Sequence, residues 1–389
     1  VNIALVIQAF DARLGGAEHW TCQFARLLHA AGHRLHVVAK SFGPEADELD
    51  VVRHPLPAIS NRFHLAQAAA EVVAGLKVDI VHDMGLGWAC DVFQPHGGAR
   101  RASFDQNLLL MPSWLRPLKR CVAPLLPRYR QFAQIERRQY ARRPTRLIAL
   151  SQMVARHFRE HYRVDEQQIR IVYNGVDLQR FTPELKSQYR EATRATLGLK
   201  PDDVLVLIVA HNFALKGVPT LIRAAGRLKA AGTPIKVGVV GSKSHGAYQQ
   251  MAQRHGVAEE VLFLGPIADP RPYYAAADIY AQPTFYDPCS LVVLEALACG
   301  LPVITSQFNG AGELITPGVE GSILMDPADD ATLAAHIGDL LDADRQAMGQ
   351  AARQLAEQHS LDQNLREMLA VYEECLAERG GATRHSRAA

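Results

Sequence analysis

The chain lacks the residue patterns by which cysteine and histidine usually hold metal. Its six cysteines, Cys22, Cys90, Cys121, Cys289, Cys299 and Cys375, are scattered without a close pair. That argues against a zinc site and a disulfide framework, and for a reducing compartment. No run reaches the roughly 18 uncharged residues that a membrane-spanning helix needs. The opening VNIALVI reads as a strand, with no charged leader before an apolar segment, so a cytoplasmic location is expected. Net charge is only +2, which excludes a global field of the nucleic-acid-binding kind and confines any basic surface to a local patch. No Cys-His or GxSxG arrangement supplies a nucleophile. The one Asp-x-Asp, Asp342 to Asp344, falls on a late helical segment far in sequence from every other candidate, so no metal is expected.

What the chain has is size and alternation. At 389 residues, with 48% hydrophobic and 21% charged residues, it exceeds what one core usually serves, so two domains are expected. Apolar strands at Ile3 to Ile7, Leu35 to Ala39, Asp79 to His82 and Arg146 to Leu150 are separated by amphipathic helices near Ala17 to Ala31 and Leu65 to Gly75. The pattern restarts after Asp203 with strands at Val204 to Ala210, Lys236 to Val240, Val261 to Leu264, Ile279 to Ala281 and Pro302 to Thr305. Helices are expected between them at Pro219 to Ala231 and Ala247 to His255. Strand and helix in strict alternation predict parallel sheets, and two doubly wound lobes fit better than one. The stretch Asn174 to Glu184, with its Asn-Gly and Pro, reads as the link between them. The expected division is 1–178 for an acceptor-side lobe, 179–360 for a nucleotide-sugar lobe, 361–378 for a helix returning to the first lobe, and 379–389 for a disordered tail. Ligands would then lie in a cleft beyond the strand ends.

The most informative segment is YDPCSLVVLEALACGLPVI, Tyr286 to Ile304. Pro288 suits a first helical turn, Ser290 an N-cap position, and Gly300 with Pro302 a stop. A helix entered here points unpaired N–H groups and a positive dipole end at what precedes it, which suits a phosphate. Asp287 and Glu295 can accept hydrogen bonds from hydroxyls. A core helix with two solvated acids fits the same spacing. A glycosidase pair fits it less well: eight helical residues separate the two acids by about 12 Å, against roughly 5 to 9.5 Å for hydrolysis.

An acid, seven intervening residues, a Glu, a small-residue helix and GLPVI resemble the signature of retaining GT-B glycosyltransferases of the family-four group, also called glycosyl transferases group 1. The resemblance runs over nearly the whole chain and implies an α/β GT-B fold of two Rossmann-like lobes facing a cleft. It implies a metal-independent enzyme that uses no cofactor beyond its nucleotide-sugar substrate, expected to be a UDP-hexose. Asp287 would bind the donor sugar and Glu295 the ribose. The family usually has Glu at the first position, so Asp287 is one methylene shorter. The helix start at Cys289, Ser290, Leu291 and Val292 would face the diphosphate. Lys216, followed by Gly217, would reach the phosphates, with Asn212 standing near where an Arg is usual. His96 in FQPHGGARR matches the histidine that touches the donor sugar. Gly15 and Gly16 match a cleft-facing glycine loop, Gly310 in Asn309 to Glu313 the donor loop, and Gly265 to Ile267 the place where the base packs.

Each of these carries a plainer alternative: a turn glycine, a surface lysine, a histidine without chemistry. Asp287, Lys216 and His96 are the residues expected to act in catalysis, by electrostatic stabilisation of the leaving diphosphate with retention of configuration. Between Arg116 and Arg146 stand ten Lys or Arg and one acid, Glu136, interleaved with Trp114, Leu115, Leu118, Leu125, Leu126, Tyr129, Phe132 and Tyr140. This resembles the patch by which such enzymes, lipopolysaccharide core glucosyltransferases among them, meet an anionic membrane carrying a lipid-linked or cell-surface glycan acceptor. A solvated face accounts for it too. Peripheral attachment at the inner face of the cell membrane is the corresponding expectation, and no nucleic-acid partner is expected. Two other functions remain open, a sugar-nucleotide epimerase of the same fold and a bilobal binding protein without chemistry.

Overall fold

A computed structural model of the chain describes residues 1–141 and 145–386, with side chains through Arg379. It divides into two compact units, Val1–Tyr173 joined by the segment from Asp362 onward, and Asn174–Leu361.

The first unit is built on a seven-stranded sheet. In chain order its strands are β1 (Asn2–Val6), β2 (Arg34–Ala39), β3 (Val52–Pro55), β4 (Ile80–Asp83), β5 (Val92–Phe93), β6 (Arg146–Ala149) and β7 (Ile169–Ile171). They lie in the spatial order β3-β2-β1-β4-β5-β6-β7, all parallel, with Ile3 opposite both Leu35 and Ile80. Ile3, Leu5, Val37, Ile80, Val92 and Ile148 are fully buried, as expected of strands covered on both faces. Helix α1 (Gly16–Ala30) follows β1, and α2 (Arg62–Ala74) precedes β4 with its first N–H groups capped by the Asn61 side chain. Three helices, α3 (Arg100–Leu109), α4 (Arg116–Val122) and α5 (Pro127–Gln139), fill the connection between β5 and β6, and α6 (Gln152–Tyr162) follows.

The second unit repeats the plan with six parallel strands: β8 (Leu205–Ala210), β9 (Lys236–Gly241), β10 (Val261–Gly265), β11 (Ile279–Gln282), β12 (Val303–Ser306) and β13 (Gly321–Leu324). Their order is β10-β9-β8-β11-β12-β13. Val206, Ile208, Val237, Val239, Ile279 and Ile304 pack in one core with Leu221, Ile222, Leu333 and Ile337 from the helices. Leu221 and Ile222 lie on α7 (Val218–Ala230), and Leu333 and Ile337 on the helix Asp330–Asp342; a further helix, α8 (Leu291–Ala298), connects β11 to β12. Both sheets therefore follow the doubly wound order in which direction reverses beside the first strand, at β1/β4 and at β8/β11. Crevices for ligands form at such reversals.

The units divide between Tyr173 and Asn174, earlier than the expected boundary at 178. The Asn-Gly turn is no free linker. Asn174 donates its side-chain N–H to the carbonyl of Cys289 at 2.7 Å, and Val176 exchanges backbone hydrogen bonds with His359 and Leu361. The last helix, α9 (Leu361–Ser386), also runs past the expected stop at 378, and only 387–389 lie beyond the described residues. Arg379 holds it there by donating to the Asp79 carbonyl at 2.7 Å and to the Asp91 carboxylate. Earlier in α9, Glu374 pairs with Arg146 and Arg170, and the Tyr372 hydroxyl shares a 2.7 Å hydrogen bond with buried His82. Helix α8 starts at Leu291, so Pro288 lies before it, outside the first turn.

Candidate functional site

In the second unit the loops after β8, β11 and β12 bring most of the expected donor-site residues together. After β8 the chain turns through Asn212, whose carbonyl accepts from the Lys216 N–H (2.9 Å) and whose side-chain oxygen accepts from the Leu215 N–H (3.1 Å). Asn212 thus shapes the turn that presents Lys216. Gly217 follows with φ of 82°, and a Cβ there would collide with the Pro283 carbonyl, so only glycine lets this loop approach the segment after β11. The approach is fixed by Leu215, whose carbonyl accepts from the Phe285 N–H (2.8 Å) and the Thr284 hydroxyl (3.1 Å). Lys216 Nζ forms an ion pair with Asp287 Oδ2.

Asp287 is 9% exposed and its backbone is clamped to the loop after β12. Its N–H donates to the Phe308 carbonyl and its carbonyl accepts from the Gly310 N–H, each at 2.9 Å. Beneath it lies a fully satisfied polar cluster of buried Gln282, Ser290, Thr305 and Asn309. Gln282 Oε1 accepts from the Ser290 hydroxyl (2.9 Å) and from Asn309 Nδ2 (3.3 Å), and Asn309 Nδ2 also donates to the Thr305 hydroxyl (3.0 Å). Asn309 Oδ1 accepts from the backbone N–H groups of Ser290 (3.3 Å) and Ala311 (3.1 Å). The Ser290 hydroxyl is therefore turned inward. It makes no cap bond to α8, although Ser290 occupies the N-cap position. The expectation of a helix start facing outward rests on this detail, which composition does not disclose.

Further along α8, the Tyr274 hydroxyl donates to Glu295 Oε2 at 2.8 Å. Burial pushes the Glu295 carboxyl up to about 7, against the hydrogen bond from Tyr274 and the positive charge of Arg180, which both pull it down. Gly265 has φ of 71° at the end of β10, and Ile267 is partly buried two residues on. Among the described residues Asp287 and Glu295 share no partner, the one held by Lys216 and the other by Tyr274.

One expected residue, Cys289, offers less than its place at the helix start implies. Cys289 is buried at 4%, its thiol pushed well above its ordinary range by burial, and its carbonyl accepts from Asn174. Asp344, half of the Asp-x-Asp, caps the following helix by accepting from Gln346 and Ala347 N–H groups. Among the described residues no group of three or more His, Cys, Asp or Glu could hold a metal ion.

The remaining candidates belong to the first unit. Gly15 is extended (φ −176°) at the N-cap of α1, and a Cβ there would lie 2.7 Å from the Glu18 carboxylate, which folds back over the loop. A diphosphate at Gly15 and Gly16 would meet that carboxylate, so the loop suits a hydroxyl-bearing ligand better than a phosphate. The His96 ring lies 4.7 Å from buried Trp20, centroid to centroid, and its enclosed Nε2 has no hydrogen-bond partner among the described residues. Burial lowers its pKa to about 3, so the imidazole is neutral at physiological pH and can exchange hydrogen bonds but not serve as a cation.

The basic stretch is largely spent within its own unit. Arg146 pairs with Glu374 and Glu378, Arg120 with Asp105, Arg116 donates to two backbone carbonyls, and Arg138 stacks on Trp88 and Phe63. Lys119, Arg128, Arg130 and Arg137 make no ion pair among the described residues, and Arg142 and Arg143 lie outside those residues. Beside them Trp114 (75%), Leu125 (64%) and Leu118 (60%) stand exposed. No helix among the described residues is long and apolar enough to cross a membrane.

Residues 14–180 match the family model of glycosyltransferase family 4, and residues 189–355 that of glycosyl transferases group 1. A D-inositol 3-phosphate glycosyltransferase of Geodermatophilus obscurus is 28% identical over 402 residues, covering 96% of this chain and 87% of the relative. One of Mycolicibacterium smegmatis is 31% identical over 237 residues, which is 60% of this chain and 54% of that relative, about half its length. Among solved structures, WaaG, a glycosyltransferase involved in lipopolysaccharide biosynthesis, has a TM-score of 0.78 at 22% identity, covering 95% of this chain and 98% of its own. Anabaena HepE in complex with UDP and glucose has a TM-score of 0.69 at 20% identity, covering 95% and 98%. The structural likenesses give the fold, the two models span most of the sequence between them, and the chain belongs to the GT-B glycosyltransferases of the group-1 and family-four type.

Proposed function

We propose that the protein transfers a hexose from a UDP-sugar, with retention and without a metal ion, to a hydroxyl of a glycan or glycolipid at a membrane surface. The observation that carries the donor half is the inward-turned Ser290 hydroxyl. With no cap bond from Ser290, the first N–H groups of α8 are left to a diphosphate, and the buried Gln282–Asn309 cluster fixes their direction in advance. Lys216 adds a full positive charge next to them. Glu295 accepts from the ribose hydroxyls, Gly265 to Ile267 flank the base, and Gly310 borders the sugar. As the bond to the anomeric carbon breaks, negative charge grows on the leaving diphosphate, and fixed dipoles with one lysine stabilise it without reorganisation.

Asp287 contributes through its geometry. In the absence of donor it holds Lys216; a bound diphosphate competes for the ammonium, which leaves the carboxylate to the sugar hydroxyls. His96, neutral and with its Nε2 short of a hydrogen-bond partner among the described residues, is suited to exchange a hydrogen bond with a ligand hydroxyl at the first unit. HepE is solved with UDP and glucose, and this supports the choice of UDP. Relatives are named for D-inositol 3-phosphate and WaaG for lipopolysaccharide, so both acceptor classes belong in the test. Incubation with a panel of sugar nucleotides, with product stereochemistry read by NMR and EDTA as a control, checks the reading. Hydride-free epimerisation of the donor, binding without transfer, inversion, or loss of activity restored by manganese would each overturn a stated part of it.

Exposed Trp114, Leu118 and Leu125, with Lys119, Arg128, Arg130 and Arg137 that make no ion pair among the described residues, support a membrane-facing role for α4 and α5. Basic residues contribute about 1 kcal/mol each at an anionic surface. Sedimentation with anionic liposomes is expected at low salt, to fade with salt, and to be lost on joint replacement of Trp114, Leu118 and Leu125 by Ser. Unchanged sedimentation of that variant would remove the membrane from the proposal.

A further inference from the structure

The first unit has a strand-order reversal of its own, at β1/β4, and beyond the carboxyl ends of those strands lies a cavity of about 160 Å³. Gln8, Glu18, Arg62, Met84, Arg100 and Phe132 are among its lining residues. One wall is rigid. Buried Asp83, at the end of β4, accepts from the N–H groups of Gly85 (2.8 Å), Leu86 (2.7 Å) and Gly87 (2.7 Å), which fixes the loop carrying Met84 to Leu86. The opposite side is cationic. Arg62, at the start of α2, and Arg100, at the start of α3, both stack on buried Phe132, their guanidinium carbons 5.1 and 3.6 Å from its ring centre.

The two arginines differ in their partners. Arg100 has Glu136 at 3.5 Å, and the Tyr162 hydroxyl donates to that same carboxylate at 2.9 Å. Arg62 has no carboxylate within ion-pair distance among the described residues. Of the three guanidinium groups on this ring, Arg62, Arg100 and Arg128, the first two line the cavity; of those two only Arg100 has a carboxylate within ion-pair distance among the described residues, and Glu18 is the acid that shares the cavity with them. Planar guanidinium forks suit phosphate and carboxylate oxygens. The cavity has room for a phosphate group and is open on one side, so the rest of a larger molecule can lie outside it. Glu18, folded over Gly15, offers a carboxylate at the same cavity for a neighbouring hydroxyl.

We infer that this cavity is an anion subsite for the acceptor: Arg62 and Arg100 bind a phosphate carried by a hydroxyl-bearing ring, and Glu18 accepts a hydrogen bond from one of the ring's hydroxyls. The word acceptor rests on the transfer reading above; the anion subsite does not. Phosphate on a free polyol and phosphate in a lipid headgroup present the same chemistry, and the test separates them.

Full-length protein is offered D-inositol 3-phosphate, free inositol, and vesicles containing phosphatidylinositol. Binding is measured by calorimetry and flotation with UDP present, and transfer is measured from the UDP-sugar that the donor panel selects. The parent is expected to bind a phosphorylated probe well ahead of free inositol, and which probe it prefers identifies the source. Arg62→Gln should raise the Kd and KM for that probe about tenfold to a hundredfold, the range for hydrogen bonds to charged groups. The affinity for UDP should stay where it was, and Arg62→Lys should recover part of the loss. Failure of the parent to prefer any phosphorylated probe, or equal losses for charged and neutral probes in Arg62→Gln, would overturn the subsite. A parent that binds phosphorylated probe but not UDP would instead remove the donor reading and leave the subsite standing.

Discussion

The two strand-order reversals share a topology and differ in how they hold their polar groups. At β8/β11 the polar side chains sit beneath the site, buried and mutually satisfied, and what faces outward is mostly backbone N–H with one lysine–aspartate pair. At β1/β4 the arrangement is reversed: the backbone is tied down by Asp83, and long charged side chains, Arg62, Arg100 and Glu18, line the cavity. Groups that stabilise developing charge gain from being fixed before the reaction, because reorganisation then costs nothing at the transition state. Groups that select among acceptors need reach and charge more than rigidity. The difference teaches where the chain's specificity can change cheaply: substituting Arg62 alters a surface contact, whereas substituting Gln282 leaves Ser290 and Asn309 short of partners inside the core, at about 1–3 kcal/mol for each unsatisfied group.

The sharpest way to break the comparison is Lys216→Ala. With the diphosphate charge uncompensated, turnover should fall by about 2.7 to 4 kcal/mol in activation free energy, a hundredfold to a thousandfold. Steady-state kinetics read this directly, and activity within a fewfold of the parent would return Lys216 to the role of Asp287's counter-ion. Asp287→Ala separates the two partners. Transfer should drop steeply while affinity for UDP is kept or rises, since the ammonium no longer has a protein anion to leave. Parallel losses in turnover and UDP affinity would place Asp287 at the nucleotide.

Glu295→Gln should weaken nucleotide binding by about 1.5 to 3 kcal/mol, measured by calorimetry with UDP. The same residue sets a pH dependence. Its carboxyl is raised to about 7 from 4.5 in the fold, so the folded protein favours the protonated form. Its contribution to stability is complete below the ordinary carboxylate value and is lost as pH rises toward and through the folded value. The Tm of Glu295→Gln should therefore gain on the parent's as pH goes from about 5 to 8. Ribose hydroxyls donate to the ionised carboxylate, so UDP binding should release a proton near pH 6.5, seen as a calorimetric enthalpy that depends on the buffer's ionisation heat. Buffer-independent enthalpies would detach Glu295 from the ribose. The smallest effect belongs to Tyr274→Phe, which removes one hydrogen bond to the carboxylate and should cost UDP affinity about 1 kcal/mol while raising the Glu295 carboxyl further.

Much of this plan is legible in the sequence because it is written in local patterns. The apolar strands at Ile3, Leu35, Val206, Val237 and Ile279 are short, continuous and separated by helix-length amphipathic stretches. The α8 segment carries its own acid spacing and its Gly300 stop. What the sequence does not show is pairing at a distance. Tyr274 and Glu295 are partners through the fold alone, and nothing near Gln282 marks it as the hub beneath Asn309. Arg62 and Arg100 meet on Phe132 from three separate helices. The boundary at Asn174 misleads because Asn-Gly is a turn signal whether or not the turn is packed, and here the Asn174 side chain is bonded inside the second unit. The basic stretch from Arg116 to Arg146 misleads in the opposite sense: its charge count is right, but Arg120, Arg138 and Arg146 are already occupied.

Helix α9 carries a consequence for how the protein is made. The first unit closes on residues from the far end of the chain, with Tyr372 on His82, Glu374 on Arg146 and Arg170, and Arg379 on Asp91, while Asn174–Leu361 is continuous in sequence. During synthesis, domains generally fold from the N-terminus as they emerge. Here the first unit emerges early yet lacks its closing helix until the residues after Asp362 are made, while the second has all its residues sooner. A ribosome stalled before Asp362 should carry a protease-resistant second unit and a first unit still open to cleavage, its His82 and Arg146 waiting for partners not yet made.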